Sequence, residues 1–88
     1  MKHLNITVLG QVQGVSFRYE AKIQADNLNI TGFAKNLADG SVYIEAEGQE
    51  ENLAKFIKWC KQGSPFSQVS SLKMADGQLK HFHNFDIY

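Results

Sequence analysis

Eighty-eight residues suffice for one hydrophobic core and not for two, since two would leave roughly 40 residues each, near the lower limit for unaided folding. With 43% hydrophobic residues, 20% charged residues and a single proline, the composition is that of an ordinary globular chain rather than a disordered or proline-rich linker. Nine Lys and Arg balance nine Asp and Glu, so no overall field draws the chain onto nucleic acid or an acidic membrane surface, and the lone Cys60 excludes an internal disulfide.

Leu4, Ile6 and Val8 alternate with Asn5 and Thr7 up to Gly10, the period-two pattern of a strand with one buried face. After Gly14 the spacing changes. Phe17, Ala21, Ala25 and Leu28 fall on one stripe of a helix, with Glu20, Lys22 and Gln24 largely facing elsewhere. Ile30 to Asn36 predict a second strand, and Asp39-Gly40 supplies positive-φ turn residues that close a hairpin. In the third strand Val42, Ile44 and Ala46 alternate with Tyr43, Glu45 and Glu47 until Gly48 breaks it.

Leu53, Phe56, Ile57 and Cys60 then follow the i, i+3, i+4, i+7 spacing of an amphipathic helix. Glu50 and Glu51 lie near its positive dipole end, Lys58 and Lys61 near its negative end, and Gly63 and Pro65 form the stop. Gln68 to Met74 and Phe82 to Tyr88 are two less regular strand patterns, separated by Asp76-Gly77. The order strand, helix, strand, strand, helix, strand is the split βαβ arrangement, a ferredoxin-like α+β sandwich with two helices on one face of an antiparallel sheet. Met1 to Asn5 lack the stretch of a secretory signal, and no apolar run approaches the ~20 residues that span a bilayer. The expectation is a single soluble domain, residues 1–88, acting as a monomer in a reducing, cytoplasmic setting.

Such a fold serves enzymes, RNA readers, metal carriers and regulators alike, so function must come from a site. Gly10-Gln11-Val12-Gln13-Gly14-Val15-Ser16-Phe17-Arg18 joins the first strand to the first helix. Its two glycines let the backbone turn tightly with N–H groups inward, and the helix start adds unpaired donors at a positive dipole end. Arg18 follows one turn in, with a planar fork of donors suited to a tetrahedral oxyanion. Together they point to phosphate, although a Gly-rich strand-to-helix loop with a nearby Arg is also a common structural turn. Gly10 and Gly14 do not fit the Walker spacing, and no Gly-x-Gly-x-x-Gly fingerprint is present, which removes nucleotide binding.

At these residues the chain resembles the acylphosphatase family, whose signature Gly-x-Val-Gln-Gly-Val-x-Phe-Arg is matched at every specified position from Gly10 to Arg18. A second family block, Gly-x-x-x-Asn-x-x-Asp-Gly-x-Val, is matched by Gly32, Asn36, Asp39, Gly40 and Val42, and a later Glu-Gly pair by Glu47-Gly48. The resemblance implies that Arg18 binds the substrate phosphate, that Asn36 orients the attacking water, and that Gln11, Val12, Gln13, Gly14 and Val15 supply backbone N–H groups. It also implies a small acyl phosphate as substrate, inorganic phosphate as product, and neither metal nor other cofactor. Three departures stand outside those residues: Lys35 where an Arg often precedes the asparagine, Asn29 in place of a common Gly, and Gly63-Ser64-Pro65 in place of a Gly-Pro pair.

The implied chemistry is physically sensible, because the leaving carboxylate has a conjugate acid of pKa roughly 4 to 5 and needs no general acid. Charge neutralisation and the aiming of a water remain, which are tasks for a cradle, one Arg and one Asn. Asn does not titrate into a general base, so its implied task is to hold the water by hydrogen bonds.

Other residues read as structural. His81 and His83 are spaced to share a strand face, but no Cys or carboxylate cluster completes a metal set. Cys60 sits on an apolar stripe, where a buried thiol is ordinary. Ser16 has no adjacent base to activate it and reads as a helix-start hydroxyl. Gly32-Phe33-Ala34 shares part of an RNA-recognition pattern, but Thr31 replaces its basic residue and the downstream aromatics are absent. Phe56 belongs to the buried stripe, so a lone Trp59 makes no partner patch. The competing functional reading is a non-catalytic phosphate or carbamoyl-phosphate binding module of a larger maturation protein. At 88 residues without zinc-finger cysteines, the chain is expected to be the free enzyme.

Overall fold

Apolar alternation makes a sheet only when each strand finds a neighbour that buries the same face. In the computed structural model, which describes all 88 residues from Met1 to Tyr88, five strands do so. The elements are β1 (Lys2–Gln11), α1 (Phe17–Asn27), β2 (Thr31–Asn36), β3 (Val42–Gly48), α2 (Glu50–Gln62), β4 (Gln68–Gly77) and β5 (Phe85–Ile87). The sheet order is β4-β1-β3-β2-β5. Ile6, Val8, Ala34, Val42, Ile44 and Ala46 share its inner face and pack with Phe17, Ala21, Ala25, Leu53, Phe56 and Cys60 of the two helices in one contiguous core. Trp59 is half-buried rather than a surface patch, its ring 5.1 Å from that of Phe17.

The α+β sandwich is as expected, but the sheet is mixed rather than wholly antiparallel. β1 pairs antiparallel with β3 and β4, and β2 antiparallel with β3, whereas β5 runs parallel to β2 with Phe85 opposite Gly32 and Ile87 opposite Ala34. The cause is topological. β4 lies at one edge and finishes beside the start of β1, with Gly77 opposite His3. Residues 78–84 then cross that end of the sheet and deliver the chain at the start of β2, from which it can only run in the same direction.

This crossing also buries a face that alternation alone leaves to solvent. His3 and Glu47 are register partners on β1 and β3, both 1% exposed, and Glu45 is 7% exposed. Glu47 accepts from the backbone N–H groups of Lys80 and Phe82, and its Oε2 lies 2.8 Å from His3 Nδ1. Burial by itself raises the Glu47 carboxyl, yet these hydrogen bonds outweigh it and hold the group below its ordinary value of 4.5. Glu45 is held low in the same way, by Lys80 Nζ at 2.8 Å and the Tyr43 hydroxyl at 2.8 Å. Burial and the neighbouring Glu45 in turn push the Tyr43 phenol up to about 12.

Candidate active site

The site forms where β1 runs out. A bulge at Leu9–Gly10 shifts the β1–β4 register, and a Cβ on Gly10, whose φ is 131°, would lie 2.1 Å from the Gln68 carbonyl oxygen. Only glycine fits that approach. Gly14 serves the opposite need: its φ is 74°, and nothing stands within 4 Å of where a Cβ would be. Its backbone therefore faces open space. Ser16 occupies the helix N-cap with a left-handed φ of 61°, and its hydroxyl makes no capping bond, so the expected helix-start hydroxyl contributes position only. Among the backbone hydrogen bonds outside helices and strands, none uses the N–H of residues 12–16. The loop presents a run of uncommitted donors at a helix start, the arrangement that takes an oxyanion.

A cleft of about 330 Å³ opens here, lined by Val12, Gly14, Ser16, Phe17, Arg18, Tyr19 and Ile87. Val12, Gly14 and Arg18 thus meet at one cleft. Gln11 does not join them, because it belongs to β1 and pairs with Gln68 on the β4 side. Val15 turns its side chain to the core and its carbonyl accepts from the Ser64 hydroxyl at 3.1 Å, so the departure at Ser64 gives this loop an extra tether. Arg18 is half-buried, and its Nη1 donates to the Tyr88 oxygen, while Tyr88 N–H donates to Ala34 O at 2.9 Å. The guanidinium is thereby held from the far end of the chain, across a separation of 70 residues that no local pattern reveals.

Asn36 is exposed at the last position of β2, opposite Val42. The loop behind it is closed by Leu37 N–H to Ser41 O at 2.9 Å and Gly40 N–H to Leu37 O at 3.1 Å. Gly40 alone takes the positive φ, 94°. Asp39 acts through its carboxylate, which accepts from Ser41 N–H at 2.9 Å and Ser41 Oγ at 2.6 Å and is held below its ordinary 3.8 by those bonds. Asn36 does not line the cleft itself; Gln13 Nε2 ties the cradle to its loop by donating to Leu37 O and Ser41 O.

The remaining candidates lie elsewhere. His81 and His83 are exposed in the crossing segment rather than on a strand, and no three His, Cys, Asp or Glu side chains gather where a metal ion would be held. Cys60 is buried on the α2 stripe, where burial pushes its thiol up. No helix is long and apolar enough to cross a membrane.

A donor-rich loop opening a helix on a split βαβ sandwich defines a class, the ferredoxin-like α+β domains whose first strand-to-helix loop offers free backbone donors. Residues 4–87 match the acylphosphatase family. An acylphosphatase from Bacillus licheniformis is 44% identical over 99% of this chain and 98% of its own length. The crystal structure of acylphosphatase from Bacillus subtilis matches with a TM-score of 0.97 at 42% identity, covering 100% of this chain and 99% of that one. Full-length HypF in its phosphate- and nucleotide-bound form matches with a TM-score of 0.88 at 27% identity, over 99% of this chain but only 12% of its own. The chain belongs to the acylphosphatase family. The match to HypF is confined to a small part of that protein, so the binding-module reading is not favoured.

Proposed function

We propose that this chain hydrolyses the carboxyl–phosphate bond of small acyl phosphates, with the loop from Val12 to Val15 and Arg18 receiving the phosphoryl oxygens and Asn36 orienting the attacking water. The observation that carries this reading is the run of uncommitted N–H groups over residues 12–16 beside a tethered Arg18, folded from a complete family signature. The water oxygen bonds to phosphorus as the bond from phosphorus to the acyl oxygen breaks, and that electron pair leaves on the carboxylate. The water's protons end on phosphate and solvent. Loop N–H groups and the guanidinium neutralise charge on the phosphoryl oxygens throughout, which is the largest contribution such a site makes. No side-chain nucleophile takes part, since Ser16 has no activating base among its contacts.

The same reading makes residues 1–88 one domain acting as a monomer in the cytoplasm, without metal or other cofactor. It is tested by phosphate release from benzoyl phosphate beside a phosphate monoester, with spontaneous hydrolysis subtracted and a chelator present in a parallel sample. Turnover of the acyl phosphate alone, unchanged by the chelator, is expected. Equal turnover of the monoester, or activity that returns only with a divalent ion, would contradict it.

A further inference from the structure

Gln13 carries a second task in its side chain. Its Nε2 donates to Leu37 O at 2.7 Å and to Ser41 O at 2.9 Å, so both amide hydrogens are committed to the β2–β3 loop. These carbonyls sit at the two ends of that loop, and Leu37 directly follows Asn36. The loop is a stiff unit in its own right, closed by Leu37 to Ser41 and braced by Asp39.

What the loop and β2 lack is a direct backbone link to the phosphate cradle. The cradle extends from β1, Asn36 ends β2, and β3 stands between those strands. The ladder therefore sets Asn36 opposite Val42 of β3, but no backbone hydrogen bond joins it to residues 12–16. Across two strand spacings, roughly 10 Å, Gln13 supplies that link through one planar amide.

We infer that Gln13 is a positioning residue, which sets the place of the Asn36 side chain relative to the phosphate cradle and so aims the water at phosphorus. This rests on the reading of Asn36 given above. Such geometry is demanding, because a misplacement of about 1 Å costs on the order of 10²-fold in rate. Removing the amide donors leaves Leu37 O with Gly40 N–H and Ser41 O with Leu37 N–H as their backbone partners, cuts the tie between loop and cradle, and leaves the cradle and Arg18 intact. Water aim should suffer, and phosphate binding should not.

The experiment is a double-mutant cycle with Gln13→Met, which keeps length and neutrality while deleting both donors, and Asn36→Ala. It is read as kcat, the inhibition constant of inorganic phosphate, and the melting midpoint; Gln13→Ala replaces the Met variant should the latter fail to fold. Gln13→Met should lower kcat by about 10-fold with the phosphate constant moved less than about 2-fold, and in the Asn36→Ala background it should cost no further turnover. Unchanged kcat, or a loss that multiplies with that of Asn36→Ala, overturns the positioning role while leaving Asn36 where it stands. Full turnover in Asn36→Ala alone would instead remove the reading on which the role depends.

Discussion

The two ends of one sheet treat their polar groups in opposite ways. At the crossing end, Glu47 is buried and takes two backbone N–H groups and a histidine nitrogen, and Glu45 takes an ammonium and a phenol. At the other end the N–H groups of residues 12–16 have no backbone partner and Asn36 is exposed. Both ends are polar, so polarity does not distinguish a site from a scaffold. Satisfaction does: a polar group with every partner supplied by the protein stabilises the fold, and one left free in an open cleft is available to a ligand.

That contrast is broken most forcefully by Glu47→Ala. Deleting the carboxylate leaves the Lys80 and Phe82 N–H groups and His3 Nδ1 without their acceptor, and stability should fall by about 3 kcal/mol, a drop of more than about 10 °C in melting midpoint. Turnover of the folded variant, measured well below its midpoint, should stay within about 2-fold of the parent. A large loss of kcat without melting would mean that the two ends are coupled.

Acid should probe the same end. Glu45 and Glu47 are held below their ordinary 4.5 in the folded protein, so the stabilisation they contribute is complete above that value and fades as pH falls through the folded values. Denaturant midpoints should be flat from neutral pH down to about 5 and decline below it, with amide protection at Lys80 and Phe82 lost ahead of the core strands. Protection at those amides that outlasts the core would contradict the assignment of Glu47 as their acceptor.

The smallest effect sharpens the comparison from sequence. Asn29, at a position where the family resemblance leads to the expectation of Gly, holds a left-handed φ of 56°. Asn29→Gly should raise stability by about 0.5 kcal/mol, roughly 2–4 °C, with no change in turnover. Destabilisation would show that the Asn29 side chain contributes more than its backbone strain costs.

The reach of sequence reasoning follows the same division. The strand and helix of the site were legible because Leu4, Ile6, Val8 and then Phe17, Ala21, Ala25 report their periods directly, and Gly10 and Gly14 mark where the backbone must do what other residues resist. The resemblance supplied Arg18 and Asn36. The parallel placement of β5 was not legible, since it depends on where β4 ends and on a crossing whose residues 78–84 have no apolar period. Nor were His3 with Glu47, 44 residues apart, or the Arg18–Tyr88 and Gln13–Leu37 bonds, because each arises only once sheet order has brought distant segments together. Asp39 was expected to turn through its backbone and instead turns through its carboxylate, an alternative that Asp always offers and composition does not resolve.

The claim that the open end holds phosphate with one residue and aims water with another is tested most directly by measuring the inhibition constant of inorganic phosphate beside kcat in Arg18→Ala and Asn36→Ala. Arg18→Ala should weaken phosphate binding and slow turnover together, because in the proposed function the guanidinium contacts the phosphoryl oxygens in the bound state and in the transition state. Asn36→Ala should lose about 10²-fold or more in kcat while phosphate binds nearly as in the parent. Full turnover in Asn36→Ala, or a loss of phosphate binding as severe as that of Arg18→Ala in a folded protein, would contradict the division of labour.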